Sequence, residues 1–228
     1  MLEPALTDIE VRILGSLIEK EVTTPDNYPL SLNALTAACN QSSNRDPIMQ
    51  LEEGAISESI VALRRRSLVR AIQPSGSRVT KYSHLLGEAL NLDARELAVL
   101  DVLMLRGPQT PGELNARTGR LAEFADIAQI ETTLEGLANR HPEPLVVRLP
   151  RRPGQKELRF AHLLHGMPAQ SDVDEPLETP AVAPHRTASA NAAVDAEQIA
   201  VLKQTVDELK SEFAKLRAQF EEFRAQFQ

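Results

Sequence analysis

Tyr82-Ser83-His84-Leu85-Leu86 and Phe160-Ala161-His162-Leu163-Leu164 are the same local pattern written twice, 78 positions apart. Such self-similarity implies one supersecondary unit used twice. Working back from each copy, Thr7-x-x-Glu10 precedes Val11, Ile13, Leu14, Leu17 and Ile18, and Asp93-x-x-Glu96 precedes Leu97, Val99, Leu100, Leu103 and Met104. Both are capping boxes ahead of an apolar stripe at i, i+3, i+4 spacing, so each predicts an amphipathic helix that opens its copy. A short second helix follows in each, Ser31 to Asn40 and Thr110 to Thr118, the latter with Pro111 at its first position and Glu113 at N3. The third helices run from about Ala55 to Arg66, with Ile56, Ile60 and Leu63 on one face, and from about Asp126 to Asn139, with Ile127, Ile130, Leu134 and Leu137.

β-type sequence then closes each copy. Leu68 to Ile72 and Tyr82 flank a turn at Pro74-Ser75-Gly76, while Leu145 to Leu149 and Leu158 to Phe160 flank Pro153-Gly154. Three helices followed by a two-stranded ribbon is the order of a winged helix-turn-helix. The expected fold is therefore mainly α with small β-hairpins (α+β): one winged-helix domain over 5–90 and a second over 91–165.

The remainder reads differently. From Gly166 to Val194, Pro168, Pro176, Pro180 and Pro184 interrupt any helix among small and acidic residues, which predicts a flexible linker over 166–194 with an r.m.s. span of roughly 30 Å. Over 195–228 the apolar residues Ile199, Leu202, Val206, Leu209, Phe213, Leu216, Phe220, Phe223 and Phe227 alternate in steps of three and four, a heptad repeat that predicts a coiled-coil helix. With Ile199 at a, the e column is Lys203, Lys210, Arg217 and Arg224, all cationic. An antiparallel pair would set e against e, whereas a parallel pair sets e against g, so a parallel homodimer is expected. A helix folded back on its own domain, or paired with a heterologous acidic helix, is the alternative.

Composition restricts the function classes. The 228 residues are 42% hydrophobic and only 4% aromatic, with no Trp, so the core must be aliphatic. The lone Cys39 excludes an internal disulfide framework and suits a reducing compartment. Met1-Leu2-Glu3-Pro4 lacks the basic start of a leader and no apolar run is long enough to cross a bilayer, so a cytoplasmic location without membrane association is expected.

The net charge of −7 conceals a local sign change. Residues 166–228 carry 6 basic and 11 acidic side chains, whereas Arg64, Arg65, Arg66, Arg70, Arg78 and Lys81 share a stretch with no acid among them. The second copy offers Arg148, Arg151, Arg152, Lys156 and Arg159 on its hairpin. Counterion release by such groups is the physical basis of phosphate-backbone binding, and these eleven residues are the candidate nucleic-acid contacts. The expectation is that the two groups converge into one cationic strip. Against base reading by the third helices stand Glu52, Glu53 and Glu58 in copy one and Asp126, Glu131 and Glu135 in copy two. For the Arg64 to Arg66 run, a solvated helix C-terminus favoured by the macrodipole is the competing interpretation.

Catalytic signals are sparse. His84 and His162 sit at equivalent repeat positions, which favours a shared structural role, and His162 with His165 lacks a third metal ligand nearby. There is no phosphate-binding glycine loop, dinucleotide fingerprint, nucleophile elbow or zinc-protease motif. Cys39 is expected to be a small buried hydrophobe. The polar segment Asn40 to Pro47 suits capped turns or phosphate contacts. The insertion Val22 to Leu30, with Pro25, Tyr28 and Pro29, is expected to brace the neighbouring domain or to form a functional surface. No catalytic residue, metal or cofactor is assigned.

Arg12-Ile13-Leu14-Gly15-Ser16-Leu17-Ile18-Glu19-Lys20, the run Thr24 to Leu35, Ala38-Cys39-Asn40-Gln41 and Asn44-Arg45-Asp46-Pro47 resemble the YceH-like family of uncharacterised bacterial proteins. Leu121 to Phe124, Leu149 to Glu157 and Ala161 to Leu164 extend the resemblance over about residues 5–165. It implies a bacterial cytosolic protein with tandem winged helices and carries no established activity. The leading expectation is a non-enzymatic, DNA-associated protein of the transcriptional-regulator type, bound to double-stranded DNA as a dimer through phosphate. The alternative is a protein-interaction adaptor that uses the tandem domains as a scaffold.

Overall fold

The computed structural model describes residues 5–73, 76, 78–151 and 157–167. The coiled-coil helix expected over 195–228, all of the 166–194 linker but its first two residues, and the candidate contacts Arg152 and Lys156 lie outside the described residues.

Seven α-helices and five short strands make an α+β architecture among the described residues. The first module runs through α1 (Asp8–Thr23), β1 (Leu30–Ser31), α2 (Leu32–Cys39), α3 (Glu53–Arg65), β2 (Val69–Ile72), β3 (Lys81–His84) and α4 (Leu86–Leu90). Among the described residues the second keeps the three helices and the hairpin, without strand β1 or the closing helix α4, in α5 (Ala94–Arg106), α6 (Pro111–Thr118), α7 (Ile127–Ala138), β4 (Val146–Arg148) and β5 (Phe160–His162). Both expected capping boxes form, Thr7 with Glu10 and Asp93 with Glu96, and Thr110 with Glu113 makes a third, each satisfying two backbone N–H groups reciprocally. The buried stripes on α1 and α5 are the apolar ones read from the sequence, with Ile13, Leu14, Leu17, Leu100 and Leu103 fully enclosed. Among the described residues no helix is long and apolar enough to cross a membrane.

The first sheet is antiparallel in the order β1-β3-β2, with Val69 opposite His84, Ile72 opposite Lys81 and Leu30 opposite Tyr82. The third strand corrects the expected two-stranded ribbon. β1 is only two residues long and therefore shows no alternation that a sequence reading could detect. The second module keeps its trace: β4 pairs with β5 from Val146–His162 to Arg148–Phe160, and Gln109 bridges Phe160 with backbone bonds of 3.0 and 2.8 Å.

The insertion before β1 braces its own module. Tyr28 Oη accepts the His84 backbone N–H at 2.9 Å, on β3, so the docking partner expected in the neighbouring domain is instead a strand of the same one. The two modules meet where α1 packs on α5, and the chain is stitched across this seam by Asp46 N–H to the Leu105 carbonyl at 2.8 Å and Leu6 N–H to the Leu164 carbonyl at 2.9 Å.

Candidate nucleic-acid interface

The end of α3 decides where the first arginines point. Ser67 adopts φ 57°, the left-handed region, and its N–H reaches the Arg64 carbonyl at 3.0 Å while Leu68 N–H reaches the Leu63 carbonyl at 2.9 Å. These paired bonds form a Schellman turn, which ends the helix and sends the chain straight into β2. The consequence is local. Arg64 and Arg65, in the last turn of α3, and Arg70, on β2, line one open groove of about 520 Å³ whose floor includes Val61, Val69 and Leu85. Arg64 and Arg65 are exposed and have no ion-pair partner among the described residues. Arg70 lies 3.6 Å from Glu88, a pair exposed on both sides and therefore weakly coupled.

The other candidates are spread over several surfaces. Arg66, the C-cap of α3, turns back to Glu10 at 3.8 Å. Arg78 is exposed between β2 and β3. Lys81 belongs to a separate groove beside Lys20, Ser31 and Gln41. In the second module the Arg148 guanidinium lies 5.6 Å from the centre of the Phe160 ring. Together with Arg151 it borders a groove of about 330 Å³ that also holds Glu131, Glu135 and Glu157. Arg159 faces a different cavity, with Arg106, Arg117, Asp46, Glu113 and Glu157. The expected single strip is thus divided. The first module holds a groove whose charged walls are all cationic, and the second a groove of mixed sign.

A family model described as "Protein of unknown function, DUF480" matches residues 6–155, which span α1 through β4 and beyond. The chain belongs to the DUF480 family. Among relatives of this DUF480 protein, a UPF0502 protein of Geobacter sulfurreducens is 48% identical over 205 residues, covering 90% of each chain. A UPF0502 protein of an Enterobacter species is 44% identical over 209 residues, 89% of this chain and 94% of its own. One from Hahella chejuensis is 50% identical over 181 residues, 77% and 79% respectively. Membership agrees with the YceH-like resemblance.

Elsewhere in the DUF480 chain the two repeat-equivalent histidines have different surroundings. His84 Nε2 lies 2.7 Å from Glu21, whereas its repeat equivalent His162 is buried and stacked edge-on against His165, with ring centres 4.5 Å apart. Burial, then the charge of His165, pulls the His162 imidazole down to about 3. Burial pushes the Cys39 thiol up to about 11, opposite to the shift a reactive thiolate needs. Among the described residues no three His, Cys, Asp or Glu side chains stand close enough together to hold a metal ion.

The segment Asn40 to Pro47 is a surface loop braced from within by the buried Arg45. Asn40 exchanges two side-chain bonds with the Leu51 backbone, at 2.7 and 2.8 Å. Arg45 reaches inward to the Ala38 carbonyl and to Glu19 at 2.7 Å, and Arg12 crosses the core to the carbonyls of Cys39 and Pro47. Neither arginine was singled out by the sequence, because a charge satisfied by carbonyls several turns away leaves no local pattern.

Proposed function

We propose that this DUF480 protein is a non-enzymatic, DNA-associated protein of the transcriptional-regulator type. In this reading the two modules are winged-helix domains, the hairpins β2–β3 and β4–β5 their wings, and the heptads of 195–228 pair two chains in the cytoplasm. The observation that carries it is the α3–β2 groove, where Arg64, Arg65 and Arg70 face solvent together beside a hairpin. The guanidiniums of Arg64 and Arg65 at the helix end, unpaired among the described residues, with Arg70 on the adjacent strand only weakly coupled to Glu88, suit phosphates along a duplex edge. Glu53 and Glu58 stay exposed on the body of α3, so the contact is to backbone rather than to base edges.

The test is a fluorescence titration with duplex DNA across a salt series. Binding should weaken steeply with salt, and the triple variant Arg64→Gln, Arg65→Gln, Arg70→Gln should lower the magnitude of the log–log slope by about 2 to 3. Salt-independent or undetectable binding overturns the reading. Sedimentation of the full chain should give twice the monomer mass, and Leu209→Asp on the heptad seam should abolish that association.

A second reading, a protein-interaction adaptor, is favoured by Glu131 and Glu135, which stand exposed on α7 beside the wing arginines of the second module. One stoichiometric protein partner that persists after nuclease treatment supports the adaptor. Loss of every partner with the nucleic acid supports the first reading.

A further inference from the structure

The seam between the modules holds a feature that neither reading uses. A crevice of about 210 Å³ opens where α1, α5 and α6 meet the Asn44 loop, and Arg106, Arg117 and Arg120 all stand on its wall. Arg106 and Arg117 also border the adjoining cavity of about 560 Å³, so these two guanidiniums form the divide between the two spaces. Like charges are seldom gathered this way without a counter-charge. Arg117 has Glu113 at 3.6 Å, Arg106 donates to the Asn44 side chain, and Glu19 in the same wall is already engaged by Arg45 at 2.7 Å. Arg120 is exposed and has no ion-pair partner among the described residues.

Two buried polar atoms point independently to a ligand. Asp101, 1% exposed, contributes to the crevice wall, and its Oδ1 has no hydrogen-bond partner. Gln109, 5% exposed, contributes to the adjoining cavity, and its Oε1 is likewise unpartnered while its amide nitrogen is held by the carbonyls of Arg106 and Pro108. Buried polar groups are nearly always satisfied, so Asp101 on the crevice side marks a place built to receive a polar group, whereas Gln109 Oε1, an acceptor, calls for a donor such as a ligand hydroxyl rather than for the anionic head. Burial, then the neighbouring Glu19, pushes the Asp101 carboxyl well above the usual carboxylate range, so its neutral form is favoured and it adds little to the negative charge that Glu19 and Glu113 already place beside the arginines.

We infer that the inter-module crevice is a binding site for a small organic anion, whose phosphate or carboxylate head sits among Arg106, Arg117 and Arg120. Arginine forks match both oxyanions in geometry. Val102, Leu105 and Leu121 supply an apolar patch for a short carbon body. The volume lies below the roughly 300–1,000 Å³ of sites for drug-sized molecules, so the ligand is small. Because α1 and the Asn44 loop come from the first module and the arginines from the second, the occupied site ties the modules together. Arg64, Arg65 and Arg70 are not part of it, and the inference stands whether or not DNA is bound.

The experiment is isothermal titration calorimetry and thermal unfolding of the full chain with inorganic phosphate and, separately, succinate, at constant ionic strength against chloride. Saturable heat with a rise in Tm is expected for at least one of them. Phosphate alone identifies a phosphate head, succinate alone a carboxylate head, and both an oxyanion site that accepts either. Arg120→Ala, on the exposed rim, should raise Kd at least tenfold while leaving the Tm of the free protein unchanged. Arg117→Gln should do the same and guards against an idiosyncratic effect of the first variant. No saturable effect from either anion, or native affinity retained in both variants, overturns the inference.

Discussion

Gly15 of α1 and Leu105 of α5 meet at a helix crossing with no room for another carbon: a Cβ at position 15 would lie 2.8 Å from Leu105 Cδ2 and 2.9 Å from its Cγ. The glycine is helical, so its φ gives no reason for its presence, and the close approach of the two modules does. Gly15→Ala should gain up to about 1 kcal/mol in helix propensity and lose roughly 1–3 kcal/mol to overpacking, for a net destabilisation. Urea unfolding of the single variants and of Gly15→Ala with Leu105→Ala should show favourable coupling in the pair, because truncating Leu105 vacates the space the new methyl needs. Additive effects would mean that the helices separate freely.

Arg45 and Glu19 form a buried pair, 2.7 Å apart with side chains 0% and 9% exposed. Arg45→Met should cost about 3 kcal/mol, since it leaves Glu19 with only Lys20 at 3.4 Å and strands the Ala38 carbonyl. The double change Arg45→Met with Glu19→Leu should recover much of that loss, and chemical denaturation of the three variants measures it.

The repeat was legible because each copy advertises its helix starts: Thr7 with Glu10, Asp93 with Glu96 and Thr110 with Glu113 are local signals that tertiary structure did not override. β1 escaped notice because two residues carry no period, and its partner Tyr82 is distant in sequence. The arginine surfaces were only partly legible. Charge counted along the chain places Arg64, Arg65 and Arg70 together because one turn links α3 to β2. The same counting cannot foresee that Glu131 and Glu135 of α7 face Arg148 and Arg151 across a groove. The inter-module arginines were invisible for the same reason: Arg106, Arg117 and Arg120 lie on two elements that become a wall only after α5 docks on α1.

Ser67 occupies the left-handed position that ends α3, where glycine adopts the same φ of 57° without a Cβ penalty. Ser67→Gly should relieve about 1–2 kcal/mol of strain and lose about 0.4–1 kcal/mol to the freer unfolded chain, for a net gain. The Tm should rise modestly. A fall would mean that the Ser67 side chain stabilises the turn by more than its backbone costs.

Asp101 and His162 should impose opposite pH dependences. The folded-state value of Asp101 is raised by burial first and then by Glu19, with Arg45 and Lys20 opposing. The unfolded chain therefore ionises first as pH rises from about 4, and stability falls until the folded-state value is passed. Asp101→Asn should be more stable than the native chain at neutral pH, and the advantage should shrink as pH falls towards about 4.

His162 has the opposite sign, because burial and His165 lower its folded-state value from 6.5 to about 3. Its contribution is fully present above the unfolded value, is lost as pH falls through the window between them, and amounts to about 3 kcal/mol by about pH 4. His162→Gln has no imidazole to titrate. Urea unfolding midpoints measured between about pH 4 and pH 7 should therefore fall more gently with acid in the variant than in the native chain. Parallel curves would mean that the ring is already solvated in the folded protein, against its 4% exposure.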